Sequence, residues 1–192
     1  MVARNRLPPW HEEIRLRNGH EILIRPVRPE DAPVLRASFE LLEPADVRQH
    51  LVGGHGAMGA ELSRQLSQPD VRNEFVLVVT EQQLPPGEAM ILGLARAAAP
   101  PGSREAGFHI LVGRNVNGMG LARHLMRRLA RWARGKRLDA LQGDVPEENG
   151  PLIDLALSMG FGRVDGADPG FERLRLPFAK ATPSAGIGDA SG

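Results

Sequence analysis

Three apolar stretches run in close succession through the middle of the chain, each strand-length and each closed off by proline or glycine. They are FVLVVTE (Phe75 to Glu81), AMILGLARAAA (Ala89 to Ala99) and GFHILVG (Gly107 to Gly113). LPPG (Leu84 to Gly87) separates the first two, and PPGSRE precedes the third. Proline cannot donate to a strand ladder and glycine tolerates turn angles, so these breaks predict an antiparallel meander. The third stretch leads into RNVNGMGLARHLMRR (Arg114 to Arg128), where a glycine-rich turn opens a helix. Leu121, Leu125, Leu129 and Trp132 recur at the spacing of one buried helix face, and Gly135 ends the helix.

The flanking segments extend this pattern. EIRLRNGHEILIRPV alternates about Asn18-Gly19, a hairpin signal, and Pro26 and Pro29 stop it. EDAPVLRASFELL predicts a helix with acidic residues in its first turn. LVGGHGAMGAELSRQL combines a glycine-rich loop with a short helix. LDALQGDV predicts a strand. ENGPLIDLALSMGF predicts a helix capped by Asn149 and stopped by Gly160, and FERLRLPF a last strand. Strands, helix, strand, helix, strand in that order give an α/β fold with a mixed sheet. Residues 1–13, broken by Pro8-Pro9, are expected to form an arm. Residues 14–179 are expected to form one domain, and the small, polar residues 180–192 a disordered tail.

Composition narrows the function classes. The net charge is +1, too low for a dedicated nucleic-acid binder. There is no cysteine, so a disulfide framework, a thiolate zinc site and a cysteine nucleophile are excluded. There is no tyrosine either, which removes one common general acid. His50 and His55, in HLVGGHG, lack an adjacent carboxylate cluster and read as loop residues rather than a metal pair. No apolar run approaches the roughly 20 residues that span a bilayer. The N-terminus has no hydrophobic segment of the signal-peptide kind, so a cytoplasmic location and no membrane partner are expected.

The glycine turn is the most informative local feature. Gly118 and Gly120 lie between a strand and a helix, where glycine permits angles and close approaches that side chains forbid. The first turn of a helix offers free N–H groups and the positive end of its dipole. Such a unit is suited to phosphate, and it carries no carboxylate. Arg123, Arg127, Arg131 and Arg134 add cationic charge along one flank. The spacing matches neither G-x-x-x-x-G-K-[ST] nor G-x-G-x-x-G.

The turn resembles motif A of the GCN5-related N-acetyltransferases, whose pyrophosphate loop is written [Q/R]-x-x-G-x-[G/A]. Here the loop is Asn117-Gly118-Met119-Gly120-Leu121-Ala122. Gly120 and Ala122 match; asparagine replaces glutamine or arginine at the first position. NGHEILIRPVRPEDAPVL is similar to the family's first strand and first helix, ILGLARAAA to its third strand, and ENGPLIDLALSMGF to its late helix. The phrases I-R-P-V-R-P-E-D and I-L-G-L-A-R most resemble the acetyltransferase domain of bacterial protein-lysine acetyltransferases.

The resemblance implies a mixed, mostly antiparallel sheet, flanked by helices and splayed around a cleft for acetyl-CoA. It implies that Ile110, Leu111 and Val112 pair with the pantetheine arm and that Asn117, Gly118, Met119, Gly120, Leu121, Ala122 and Arg123 hold the pyrophosphate. Asn149 would lie near the arm, and the Val112 N–H would meet the oxyanion. The implied partners are acetyl-CoA and an amine acceptor, a protein lysine or a small amine, with no metal, in a monomer or homodimer. The chemistry is direct attack of the amine on the thioester, which needs a general base. The family's strand glutamate is replaced here by Gly107, and its tyrosine acid by Ala156 with Ser158 nearby. Glu105 and His109, each two residues from Gly107, share its strand face and are the candidate bases. A domain that lacks the family's glutamate at position 107 and has no tyrosine would instead bind acetyl-CoA or CoA and regulate a partner.

Overall fold

The computed structural model describes residues 8–43, 45–51 and 58–179. The expected tail, residues 180–192, and His55 lie outside the described residues. Strands β1 (Glu12–Arg15) and β2 (Glu21–Pro26) form the expected hairpin, with Gly19 at φ +85° in its turn. β1 starts two residues before the boundary expected at residue 14. Helix α1 (Ala32–Ser38) lies between single turns of 3-10 helix at Pro29–Asp31 and Phe39–Leu41. A very short strand β3 (Leu42–Glu43), α2 (Ala45–Leu51) and α3 (Ala60–Ser67) follow. The meander then forms as its punctuation predicts: β4 (Glu74–Glu81), β5 (Ile91–Ala98) and β6 (Glu105–Gly113), antiparallel throughout. Helix α4 (Leu121–Gly135), β7 (Ala140–Pro146), α5 (Gly150–Ser158), β8 (Gly162–Val164) and β9 (Phe171–Pro177) complete the order.

The strands lie in the order β1-β2-β4-β5-β6-β7-β9-β8, with β3 attached to β6. Among the described strands, β6 and β7 alone run parallel. Alternation along the strands sorts side chains into two cores, one on each sheet face. Leu77, Val79, Ile110 and Val112 pack with Leu125 and Leu129 of α4 and Leu152 of α5. Val76, Val78, Leu94 and Leu111 pack with Leu35 of α1, Phe39, and Leu66 of α3. Each such side chain contributes about 1.5–3 kcal/mol on burial. Among the described residues, no helix is long and apolar enough to cross a membrane.

A buried ion pair explains the sequence IRPVRPED. Arg25 donates to both carboxylate oxygens of Asp31, at 2.7 and 2.8 Å, with both side chains almost fully buried. Asp31 also accepts from the Arg28 N–H at 2.8 Å and the Gly87 N–H at 3.3 Å. Burial pushes the Asp31 carboxyl up, but Arg25 and these backbone donors outweigh it and leave it below the ordinary aspartate value. The pair fastens β2, the start of α1 and the β4–β5 turn together. Gly87 is required there: it sits at φ +83°, and a Cβ would lie 2.9 Å from the Glu30 carbonyl oxygen.

The feature that positions the site is the parting of β6 from β7. Their pairing runs from Glu105 with Ala140 to Gly107 with Gln142 and stops there. Farther along, Val112 pairs with Glu43 and Gly113 with Leu42 of β3, on the edge away from β5. Between these two pairings, β6 from Phe108 to Leu111 has no strand partner on that edge among the described residues.

Candidate functional site

A cleft of about 520 Å³ lies where β6 parts from β7. It is lined by Ile110 and Val112 of β6, Val116, Asn117 and Gly118 of the loop, and Gly120 to Arg123 at the start of α4. Glu43 of β3, Asn149, Pro151, Leu152 and Leu155 close the other sides. Most of the loop residues singled out from the sequence therefore meet around one cavity. Two do not: Met119 packs against the main core, and the Leu111 side chain is buried in the core on the opposite face.

The loop has the geometry that its glycines predict. Gly118 and Gly120 are both left-handed, at φ +75° and +80°. Gly120 is the residue before the first turn of α4, and no side chain caps that turn. The first intrahelical bond is His124 N–H to the Gly120 carbonyl, at 3.2 Å. The N–H groups of Leu121, Ala122 and Arg123 are thus left pointing out of the helix end. No acidic residue stands in that turn. The Gly118 N–H is engaged locally, donating to Asn117 Oδ1 at 2.8 Å. Asn117 therefore shapes the loop through its side chain, and the donors facing the cleft are those of the helix end.

Arg123 lines the cleft and donates to Ser158 Oγ at 2.7 Å, linking α4 to the end of α5. Its partner is neutral, so its charge is not spent on a carboxylate. The other arginines of that flank are used differently. Arg131 lies over the Trp10 ring and Arg134 over the Phe178 ring, at 5.4 and 4.8 Å from the centroids. His124 turns away from the cleft, with Nε2 2.9 Å from Glu12 Oε2. Arg128 bonds the same carboxylate and also donates to the Trp10 carbonyl at 2.6 Å. Asn149 caps α5, accepting from the Leu152 N–H at 3.3 Å, and also lines the cleft.

Glu105 and His109 lie on the opposite face of β6 from Ile110 and Val112. Neither lines the cleft. Glu105 Oε1 accepts from Arg175 of β9, at 2.6 Å from Nη2 and 3.2 Å from Nε. His109 is half-buried and stands opposite Arg96 in the β5 register. Arg96 is paired with Glu74 at 3.2 Å, and Asp144 with Arg173 at 2.6 Å. Gly107 itself is not imposed by packing. A Cβ there would meet only the Ala98 carbonyl oxygen, at 3.9 Å, and its backbone is not left-handed. Among the described residues, no group of three or more metal-ligating side chains assembles.

Glu43 is the site residue least foreseeable from sequence. It reaches the cleft because β3 docks on Val112, and its carboxylate meets Arg114 Nε at 2.6 Å. Leu152 and Leu155, by contrast, carry a visible signal as the apolar face of α5.

Comparison with known proteins agrees with this geometry. The model of the acetyltransferase (GNAT) family matches residues 47–161. An acetyltransferase of Pseudomonas aeruginosa is 29% identical over 154 residues, covering 79% of this chain and 80% of that protein. The GNAT domain of S. lividans PAT superposes with a TM-score of 0.74 at 19% identity, covering 90% of this chain and all of the other. An N-acetyltransferase of Staphylococcus aureus gives a TM-score of 0.61 at 18% identity, covering 81% of this chain and 98% of the other.

Proposed function

Since the chain belongs to the acetyltransferase (GNAT) family, we propose that it moves an acetyl group from acetyl-CoA to the side-chain amine of a protein lysine. N-acetyltransfer with acetyl-CoA is the family's activity; the acceptor and the residue roles go beyond it. The observation that carries it is the uncapped start of α4, which turns bare N–H groups and no acid toward a cleft beside an open strand edge. The N–H groups of Leu121, Ala122 and Arg123, with the Arg123 guanidinium, hold the pyrophosphate. The β6 edge around Ile110 and Leu111 orients the pantetheine arm. The thioester, when bound, supplies an activated acetyl group. Val112, the expected oxyanion donor, is paired with Glu43 of β3 on this edge, so the stretch of β6 before it supplies the donor to the oxygen that gains charge during transfer. His109, and Glu105 through water, accept the proton of the incoming amine from the other face of β6.

A second reading is favoured by specific contacts. Gly107 brings no side chain to the acceptor face, and Glu105 is already paired with Arg175. A domain so arranged would bind acetyl-CoA and act on a partner without turnover. Calorimetric titration with acetyl-CoA, followed by CoA release in the presence of lysine-containing peptides, separates the two. The chain has no cysteine, so a thiol reagent reads CoA without protein background. Micromolar binding with CoA release supports the transferase, and micromolar binding without release supports the binding domain. No binding near millimolar acetyl-CoA overturns both.

A further inference from the structure

Arg114 and Arg128 are neutralised by carboxylates, Arg114 by Glu43 at 2.6 Å and Arg128 by Glu12. Arg123 is held differently. It lines the cleft from the first turn of α4, and its Nη2 donates to Ser158 Oγ at 2.7 Å. Ser158 is the last residue of α5, the helix that walls the cleft through Leu152 and Leu155. The bond therefore joins the two helices on either side of the cavity. The Ser158 hydroxyl has a single proton, and it donates that proton to the Leu155 carbonyl at 2.6 Å. That carbonyl is among the last of the helix, which have no intrahelical donor. With its proton committed there, the hydroxyl turns its lone pairs to Arg123. The end of α5 is itself fixed. The N–H groups of Gly160 and Phe161 bond back to the Leu157 and Ala156 carbonyls, at 3.0 and 3.1 Å, and Phe161 is buried against Phe108.

We propose that Ser158 is a positioning residue: it props the Arg123 guanidinium in the cleft, beside the bare N–H groups of α4, to meet a phosphate of the cofactor with its charge uncancelled. The inference rests on the acetyl-CoA reading of the cleft. A free arginine side chain samples many rotamers, and ordering it during binding weakens affinity. Ser158 orders it beforehand. The neutrality of the acceptor is what suits it to this place. A carboxylate would hold the guanidinium more firmly, but it would cancel the charge and repel the phosphate. Serine accepts from Nη2 and leaves the other N–H groups of the fork for a ligand.

The test uses the full chain and two calorimetric probes: acetyl-CoA, and acetyl-pantetheine, which keeps the thioester arm but lacks the diphosphate. Ser158→Ala is expected to raise Kd for acetyl-CoA about fivefold and to leave Kd for acetyl-pantetheine within about twofold of the parent protein. Ser158→Thr keeps the hydroxyl and should stay within about twofold for both probes. Ser158→Asp should weaken acetyl-CoA about thirtyfold, more than Ser158→Ala does, although it offers Arg123 a stronger partner. With Arg123→Ala in place, Ser158→Ala should change affinity no further. A serine that served only the end of α5 would lower the unfolding temperature without separating the two probes, and would do so whether or not Arg123 is present. Acetyl-CoA binding like the parent's in Ser158→Ala or Ser158→Asp, or a loss that persists without Arg123, overturns the role of Ser158 and leaves the cofactor reading standing. A parent protein that binds acetyl-CoA no more tightly than acetyl-pantetheine overturns the diphosphate reading of the cleft, and the positioning role with it.

Discussion

The two faces of the central sheet are built on different principles. The face under α4 and α5 is aliphatic and aromatic, and at the cleft it adds the helix-end N–H groups and a few polar side chains, Arg123 and Asn149 among them. The face under α1, α2 and α3 is also apolar beneath the helices, but it carries a run of charged side chains. Arg25 meets Asp31, Arg96 meets Glu74, Arg175 meets Glu105 and Arg173 meets Asp144. Backbone donors at a helix end recognise any phosphate and need no particular side chain. Deprotonating an amine and choosing one acceptor over another require side chains. On the proposed reading the difference teaches where variation can act: cofactor recognition would rest on glycines and register, and acceptor chemistry on the charged face.

The largest expected effect lies on the charged face. Asp31→Ala leaves the buried Arg25 guanidinium without its carboxylate and should cost about 3–5 kcal/mol in denaturant unfolding. A loss below 1 kcal/mol would show that the pair is dispensable and blur the contrast. The same pair sets a pH limit. The Asp31 carboxyl is depressed in the folded protein, so its stabilisation is complete above the unfolded value near 3.9. That stabilisation is lost as pH falls through the folded value, so unfolding midpoints should drop in acid below about pH 4. In the Asp31→Asn variant this contribution to the acid limb disappears.

Next comes the chemistry itself. Replacing His109 and Glu105 together with glutamine should lower kcat about 100-fold or more while acetyl-CoA binding by calorimetry stays near that of the parent. Unchanged turnover would sink the base assignment. On the other face, Gly120→Val places a β-branched residue at φ +80°. It should weaken acetyl-CoA about tenfold or more, with the circular dichroism spectrum preserved. Equal affinity would mean that the loop conformation does not matter to the ligand. The smallest effect is expected from Asn149→Ala, which removes the α5 cap and should cost about 1 kcal/mol in thermal unfolding. A larger fall in acetyl-CoA affinity than in stability would give Asn149 a second role.

What the sequence disclosed and what it withheld divide along the range of the interactions. The meander, the hairpin, α4 and α5 were legible because proline, glycine and apolar spacing act over a few residues. The glycine loop was legible for the same reason, and its residues apart from Met119 meet around one cleft. The two-residue strand β3 carries no periodic signal, since it exists only by docking on Val112 and Gly113. Glu43 therefore could not be foreseen in the cleft. Nor could the engagement of Glu105 by Arg175, which lies two strands away across β7, or of His124 by Glu12 in the opening hairpin. The arginine flank of α4 looked uniform in sequence, yet Arg123 faces the cleft while Arg131 and Arg134 cover aromatic rings. Spacing placed them on one helix flank, but tertiary partners decided what each one does.

The short docking of β3 has a further consequence. A strand with vacant amides is an invitation to any extended chain, and proteins that leave one open risk templating their own association. Here the vacancy is bounded at one end by Gln142 and at the other by Glu43. On the proposed reading it takes a slender, flexible arm, while it is too brief for a neighbouring polypeptide to settle in register. So short an interruption of pairing leaves no edge along which a second copy could extend the sheet.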